Sequence, residues 1–267
     1  MEIAARTALL TGATGGLGRA IAQSLAGAGA SLVLSGRREE DLLALAESLP
    51  GDGHRVIVAD LAADGEAEKL AEAAAGVDVL VANAGLPGAG WLAEFTAEEV
   101  KRALRVNLEA PMLLARALFP EMLERGSGAL VFVSSLSGKA ASPRTSVYNA
   151  TKFGLRGFAL GLRTDLAPRG IGVSLVSPGF VRDAGMFAEA GGKTPPMMGT
   201  TTPEEVAQAV RKAIVEDKVE VTVAPLLDRV AAHAGLVSPS ISVRVQSGSV
   251  GQKAAAAVTE GHSKAKR

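Results

Sequence analysis

Short apolar runs alternate with stretches of helical period along most of the chain. The first run, Thr7–Thr11, reads as a strand; Leu17, Ile21, Leu25 and Ala28 then recur at helical spacing, and Gly27 and Gly29 end the pattern. Further strand candidates follow at Ser31–Ser35, His54–Ala59, Val77–Ala82, Ala129–Val133, Ile171–Val176 and Val219–Val223. Between them the spacing predicts helices over about 38–49, 64–75, 97–124, 148–167 and 203–216. Pro50 with Gly51 and Pro168 with Gly170 are stop signals, and Pro111 should kink or restart the helix that contains it. Thr202 followed by Pro203 has the form of a helix start, with the hydroxyl as cap and proline in the first turn. Strands that alternate with helices of this length predict βαβ crossovers and a parallel sheet of about seven strands, an α/β fold.

Two stretches break the alternation. Residues 180–202 are rich in Gly, Pro and Met without a sustained period, and so long a loop in a compact domain is usually functional, here a substrate lid. After the last strand the chain turns apolar-helical near Leu226–Leu236 and then Ser-, Gly- and Lys-rich, with fraying expected from about residue 250. The expected organisation is one domain over 1–225 that includes the loop, and a C-terminal helical extension with a flexible tail over 226–267.

Composition narrows the function classes. A chain of 267 residues that is 48% hydrophobic suits one large domain with a substantial core. Basic and acidic residues both number 28, so no basic face is implied and nucleic acid is not expected as a partner. With no Cys, disulfides, thiolate catalysis and zinc–thiolate sites are excluded. The three His lie far apart, no metal-ligand spacing exists, and no metal is expected. The N-terminus lacks the basic-then-apolar layout of a signal peptide, and no apolar run is long enough to span a bilayer. A soluble, cytoplasmic protein is expected.

The candidate chemistry sits at the ends of the strands. Gly12, Gly15, Gly16 and Gly18, with Thr14 and Leu17 among them, form a glycine-rich turn between the first strand and the first helix. Such a turn lets backbone N–H groups and a positive helix end meet a pyrophosphate, although a purely structural turn would use the same residues. The second strand ends in Gly36, Arg37 and Arg38, with no acid before Glu39. A dinucleotide fold uses an acid there for the ribose hydroxyl of NAD and an Arg for the 2′-phosphate of NADP. Strands three, four and six end in Asp60–Leu61, Asn83–Ala84–Gly85 and Pro178–Gly179. Ser135 follows the fifth strand, and the single Tyr, Tyr148, stands four positions before Lys152. At that spacing a phenol and an ammonium share one helix face, and a nearby cation favours the phenolate. Taken alone, the pair is most often a solvated helix surface. Trp91, the single Trp, lies in the loop after strand four, where it could face a substrate or pack on the next helix.

With these residues in order, the chain resembles the short-chain dehydrogenase/reductase family in its compact single-domain form, over roughly residues 5–225. The resemblance implies a Rossmann-type, doubly wound parallel sheet with helices on both faces. It implies an oxidoreductase that moves a hydride between NADP(H), with NAD the alternative, and an alcohol/carbonyl substrate. Tyr148 would be the acid/base, and Ser135 would hold the substrate oxygen. Lys152 would bind the nicotinamide ribose and lower the Tyr148 pKa, and Asn107 would hold a relay water. Asp60 and Leu61 would border the adenine, and Asn83, Ala84 and Gly85 would support the adenosine side. Pro178, Gly179 and Val181 would meet the nicotinamide end. One departure stands out: Asp183 occupies the place of a cofactor-contacting Thr. The family also implies a homodimer or homotetramer. A non-catalytic nucleotide-binding relative and an epimerase or lyase on the same fold are the rival readings. Leu136, Met186, Phe187, Met197 and Met198, in the segments expected to build the pocket, suggest a hydrophobic small-molecule substrate.

Overall fold

Leu9 and Leu10 are neighbours in sequence, yet they serve opposite faces of one sheet. In the computed structural model, which describes residues 1–183 and 199–248, Leu9 packs with Leu80, Leu114, Phe132 and Leu155, whereas Leu10 packs with Ile21, Leu25, Val206 and Val210. Both sets are buried, so the strands are apolar almost throughout rather than alternating.

Seven strands, all parallel, make up the sheet: β1 (Thr7–Thr11), β2 (Ser31–Gly36), β3 (Arg55–Val58), β4 (Val79–Ala82), β5 (Gly128–Val133), β6 (Ile171–Pro178) and β7 (Glu220–Val223). The helices are α1 (Gly16–Ala26), α2 (Glu39–Ser48), α3 (Glu66–Ala73), α4 (Ala97–Leu104), α5 (Ala110–Arg125), α6 (Ser146–Leu166), α7 (Pro203–Val215), α8 (Leu226–Val237) and α9 (Pro239–Ser247). Residues of α1, α2 and α7 close one face of the sheet, and residues of α3, α5 and α6 close the other. The strand order is β3-β2-β1-β4-β5-β6-β7. The chain therefore winds outward from β1 to β3, returns to the middle at β4, and winds the other way. Connections leave β1 and β4 in opposite directions, which opens a crevice at their carboxyl ends.

The long helix expected over 97–124 is divided. Between α4 and α5 the residues Arg105–Glu109 form a π turn. Pro111 has no N–H, so it cannot give the carbonyl of Asn107 the bond an α-helix requires, and the ladder slips one residue. This turn holds Asn107 in the protein interior. The second C-terminal helix, α9, was hidden by its Ser-rich composition, although Pro239 after Ser238 is a helix start of the same kind as Pro203. Of the loop expected to act as a lid, residues 184–198 lie outside the described residues, as does the tail from 249. No helix among the described residues is long and apolar enough to cross a membrane.

Candidate active site

The carboxyl ends of β1 and β4 are held together by two side chains. Thr11 Oγ1 accepts from the backbone N–H of Asn83 at 3.1 Å and of Ala84 at 3.0 Å. Asn83 Nδ2 donates back to the carbonyls of Thr11 at 3.1 Å and Gly12 at 3.2 Å. Asn83 thus sets the glycine turn against the fourth strand. At Gly12, where φ is +63°, a Cβ would come within 2.8 Å of Ala84 Cα, and at Gly18 a Cβ would lie 2.2 Å from Gly12 O. No other residue fits either place. Gly15, by contrast, would meet only Gly12 O, at 3.5 Å, so its outer side is open. It precedes the first turn of α1 with no capping side chain. The N–H groups of that turn face the cleft with no helical partner, a cradle for an anion.

The cleft above this turn is lined by Gly12, Thr14, Gly15, Gly16, Leu17 and Gly18, by Arg37, Arg38, Asp60 and Leu61, and by Asn83, Ala84 and Gly85. Each was expected from sequence. Arg102 and Val106, also in the lining, were not; they lie one helical turn apart where α4 passes into the π turn. Their spacing puts them on one face, but sequence does not say which face of α4 meets the cleft. Asp60 Oδ1 accepts from the N–H of Ala62 at 3.1 Å, which fixes its turn. Arg38 is ion-paired with Asp41. Arg37 is exposed and forms no ion pair among the described residues. The glycine cradle, the helix end and the unpaired guanidinium fit a phosphorylated dinucleotide.

At the ends of β5 and β6 lies the second group. Ser135 begins a short turn in which its Oγ accepts from the N–H of Ser137 at 3.1 Å. Tyr148, in the first turn of α6, is hydrogen-bonded to the Ser135 side chain. One turn further, Lys152 is 3% exposed; its Nζ lies 5.6 Å from the centre of the Tyr148 ring and donates to Val133 O at 3.0 Å. Asn107 is fully enclosed, its Oδ1 accepting from the N–H of Leu86 at 2.6 Å and its Nδ2 donating to Leu86 O at 2.9 Å. Its Nδ2 also reaches Thr151 Oγ1 on α6 at 3.4 Å. The Asn107 amide therefore ties the end of β4 to the Tyr148 helix and is not free to hold a water. Pro111, with no N–H, cannot donate to the Asn107 backbone carbonyl.

Two further expectations change. The Tyr148 phenol is not lowered: burial pushes it up to about 12, offset only in part by the bond to Ser135. Burial also lowers Lys152, to about 8, so the low dielectric acts on both groups and outweighs their mutual influence. Val181 is 6% exposed and packs into the core beside a bridge to Thr201, so its side chain does not meet the cleft. Pro178 closes β6, Gly179 N–H bonds Val223 O at 2.9 Å, and a Cβ on Gly179 would lie 3.3 Å from Leu136, so this corner sits at the turn that Ser135 begins, apart from the glycine cleft. Asp183 is exposed and lies 3.3 Å from Arg182 Nε, so its charge is balanced by its neighbour. Of the expected pocket residues only Leu136 is described.

A stability prediction follows from Lys152. Its pKa of about 8 in the folded protein is below the ordinary 10.5, so between those values the unfolded chain binds a proton that the folded chain does not. Stability should therefore rise with pH across that window, and below about 8 the fold carries a buried charge with no carboxylate partner among the described residues. Lys152→Met should raise the thermal midpoint of the cofactor-free protein at pH 7 by about 3–8 °C and flatten the rise toward pH 10. A scanning calorimetry midpoint that falls at pH 7 would contradict this.

The winding of the sheet, the cleft at its switch point and the residues around it define a Rossmann-type doubly wound α/β protein. The chain belongs to the short-chain dehydrogenase family, whose model matches residues 6–194, and it is an oxidoreductase of that family. It is 36% identical over 224 residues to the ketoacyl reductase HetN of Nostoc sp., covering 82% of this chain and 78% of that protein. It is 36% identical over 187 residues to human dehydrogenase/reductase SDR family member 4, covering 67% of each. Among solved structures, a short-chain dehydrogenase from Sphingobium yanoikuyae in complex with NADPH superposes with a TM-score of 0.78 at 28% identity, covering 89% of this chain and 95% of that one. A 3-oxoacyl-(acyl-carrier-protein) reductase from Agrobacterium tumefaciens with NADP bound gives 0.75 at 27% identity, covering 83% and 93%.

Proposed function

We propose that this protein reduces a ketone or aldehyde with NADPH, using Tyr148 as the proton donor. The observation that carries the reading is the Ser135–Tyr148 hydrogen bond one helical turn from buried Lys152, at the edge of the sheet that also holds the glycine cleft. A phenol held near 12 is neutral across the physiological range, which suits a group that gives a proton rather than takes one. The reductase names and the bound NADPH and NADP of the relatives support the same direction.

The turn from Gly12 to Gly18 would hold the pyrophosphate, Asp60 and Leu61 the adenine, and Arg37 the 2′-phosphate. Lys152 would hold the nicotinamide ribose, and the Pro178–Gly179 corner the nicotinamide itself. When bound, that cofactor supplies the hydride that the carbonyl carbon accepts. Ser135 donates to the carbonyl oxygen and orients it. Tyr148 passes its proton to the same oxygen as charge develops there, so the product is a neutral alcohol. Lys152, cationic below about pH 8, stabilises the phenolate that remains and returns a proton to it. The Asn107 carbonyl would anchor a water that refills Lys152. Met112 on α5 and Phe153 on α6 are exposed apolar residues, consistent with pairing of two copies through these long helices. The test is NADPH consumption against a panel of ketones and aldehydes. Tight NADPH binding without turnover of any of them would favour a non-catalytic or epimerase role.

A further inference from the structure

Arg144 stands where a glycine would be easier to accommodate. Its φ is +58°, the left-handed region that disfavours a residue with a Cβ. The surrounding loop over-determines that conformation. Arg144 O accepts from the N–H of Gly90 at 2.7 Å. Ser142 O accepts from Thr145 Oγ1 at 2.8 Å and from Asn149 Nδ2 at 3.1 Å, which fixes the loop to the first turns of α6.

The side chain that this conformation presents is unusual in two respects. Its guanidinium lies 5.0 Å from the ring centre of Trp91, which is itself 58% exposed. Its Nε is buried and has no hydrogen-bond partner, and the residue forms no ion pair among the described residues. A cation–π contact accounts for the ring but not for a buried N–H without an acceptor, which is costly unless something else supplies one.

Both halves of the pair flank the catalytic Tyr. Arg144 precedes Tyr148 by four residues, in the loop that leads into α6. In the Trp91 loop, Gly88 lies so close that a Cβ there would meet Tyr148 N at 3.1 Å and Tyr148 Cβ at 3.2 Å. Arg144 and Trp91 therefore lie on the two segments that border Tyr148. The N–H groups of a guanidinium form a planar fork that matches an oxyanion, and the Trp91 ring lies against that of Arg144.

We propose that Arg144 anchors an oxyanion, a carboxylate or a phosphate, carried on the arm of the substrate remote from the reacting carbonyl. The proposal rests on the carbonyl-reductase reading for its reaction and makes Arg144 a specificity-determining residue. It narrows the substrate to an apolar carbonyl compound with one charged end.

The test compares wild type with Arg144→Gly, a change that the left-handed backbone favours, and with Arg144→Lys, which keeps the charge and loses the fork. For the carboxylate arm the probes are 4-oxopentanoate, 5-oxohexanoate and 6-oxoheptanoate, each against its methyl ester. For the phosphate arm they are acetoacetyl-phosphopantetheine against acetoacetyl-pantetheine. The readout is the ratio of kcat/KM for the charged over the neutral member of each pair, which a general loss of activity does not mimic. Wild type should prefer at least one charged member by about tenfold or more. Arg144→Gly should bring that ratio close to one, with Arg144→Lys between. Ratios that are the same in wild type and Arg144→Gly for every pair, or no preference for any charged member, would overturn the anchor. Because Trp91 is the single Trp, its fluorescence reports binding independently of turnover. If no carbonyl is reduced, quenching by the charged probes in wild type but not in Arg144→Gly upholds the anchor and removes the reductase reading. Equal quenching in both proteins removes the anchor.

Discussion

Tyr148→Phe should lower kcat for carbonyl reduction by at least about 100-fold, since a positioned general acid contributes 10²–10⁴, while NADPH binding stays close to wild type. The phenylalanine ring refills the space of the phenol and removes only the proton and the Ser135 contact. Lys152 keeps its bond to Val133 O and its place beside the ring. Initial rates at saturating NADPH, with cofactor affinity from fluorescence titration, separate the two effects. A variant that keeps a tenth of wild-type turnover would show that this Tyr is not the proton donor. The pH profile should agree. With the phenol near 12, no loss of reduction below pH 9 should come from Tyr148. A decline that begins near 8 belongs to Lys152, whose positive charge is present below that value and lost above it.

How much of this site was visible in the sequence depends on whether the physics is local. The seven strands were legible because both faces of the sheet are covered, which leaves short apolar runs bounded by Gly and Pro. Their limits fall within two residues of those expected. The glycine turn and the Tyr148–Lys152 spacing were legible for the same reason: a tight turn and an i, i+4 pair are statements about neighbouring backbone. The π turn at Arg105–Glu109 was legible in part, since Pro111 announced a break without saying that the chain would continue as helix. Burial was not legible. The direction of the Tyr148 shift depends on what encloses the phenol, and a motif that places a cation nearby suggests the opposite sign. Val181 is the same case, a residue carried by a cofactor motif whose side chain the fold turns into the core. Arg102 reaches the cleft from a helix far along the chain, and Arg144 is distinguished by a backbone angle, so neither left a mark in periodicity.

Cofactor choice should follow the arginines after β2, with Arg37→Ala weakening NADPH by about 10- to 150-fold and leaving NADH nearly unchanged. The cleft contains no carboxylate at the end of β2, where an NAD enzyme would hold the ribose hydroxyls; Asp60 lies at the neighbouring turn after β3. Arg37 and Arg38 are not equivalent in this setting. Arg38 is ion-paired with Asp41, which it shares with Arg19 at 4.0 Å, so the Arg38 charge is balanced in part. Arg37 forms no ion pair among the described residues and lines the cleft. Arg38→Ala should therefore cost less NADPH affinity than Arg37→Ala, chiefly by exposing the phosphate to Asp41. Because both side chains are exposed, each effect should shrink as salt is raised above about 0.15 M, where screening acts within about 8 Å. The measurement is kcat/KM for NADPH and NADH in wild type and both variants at two ionic strengths. Equal values for the two cofactors in wild type would defeat the assignment whatever the variants do. A larger loss in Arg38→Ala than in Arg37→Ala would move the phosphate contact to Arg38 and require it to leave Asp41 when the cofactor binds.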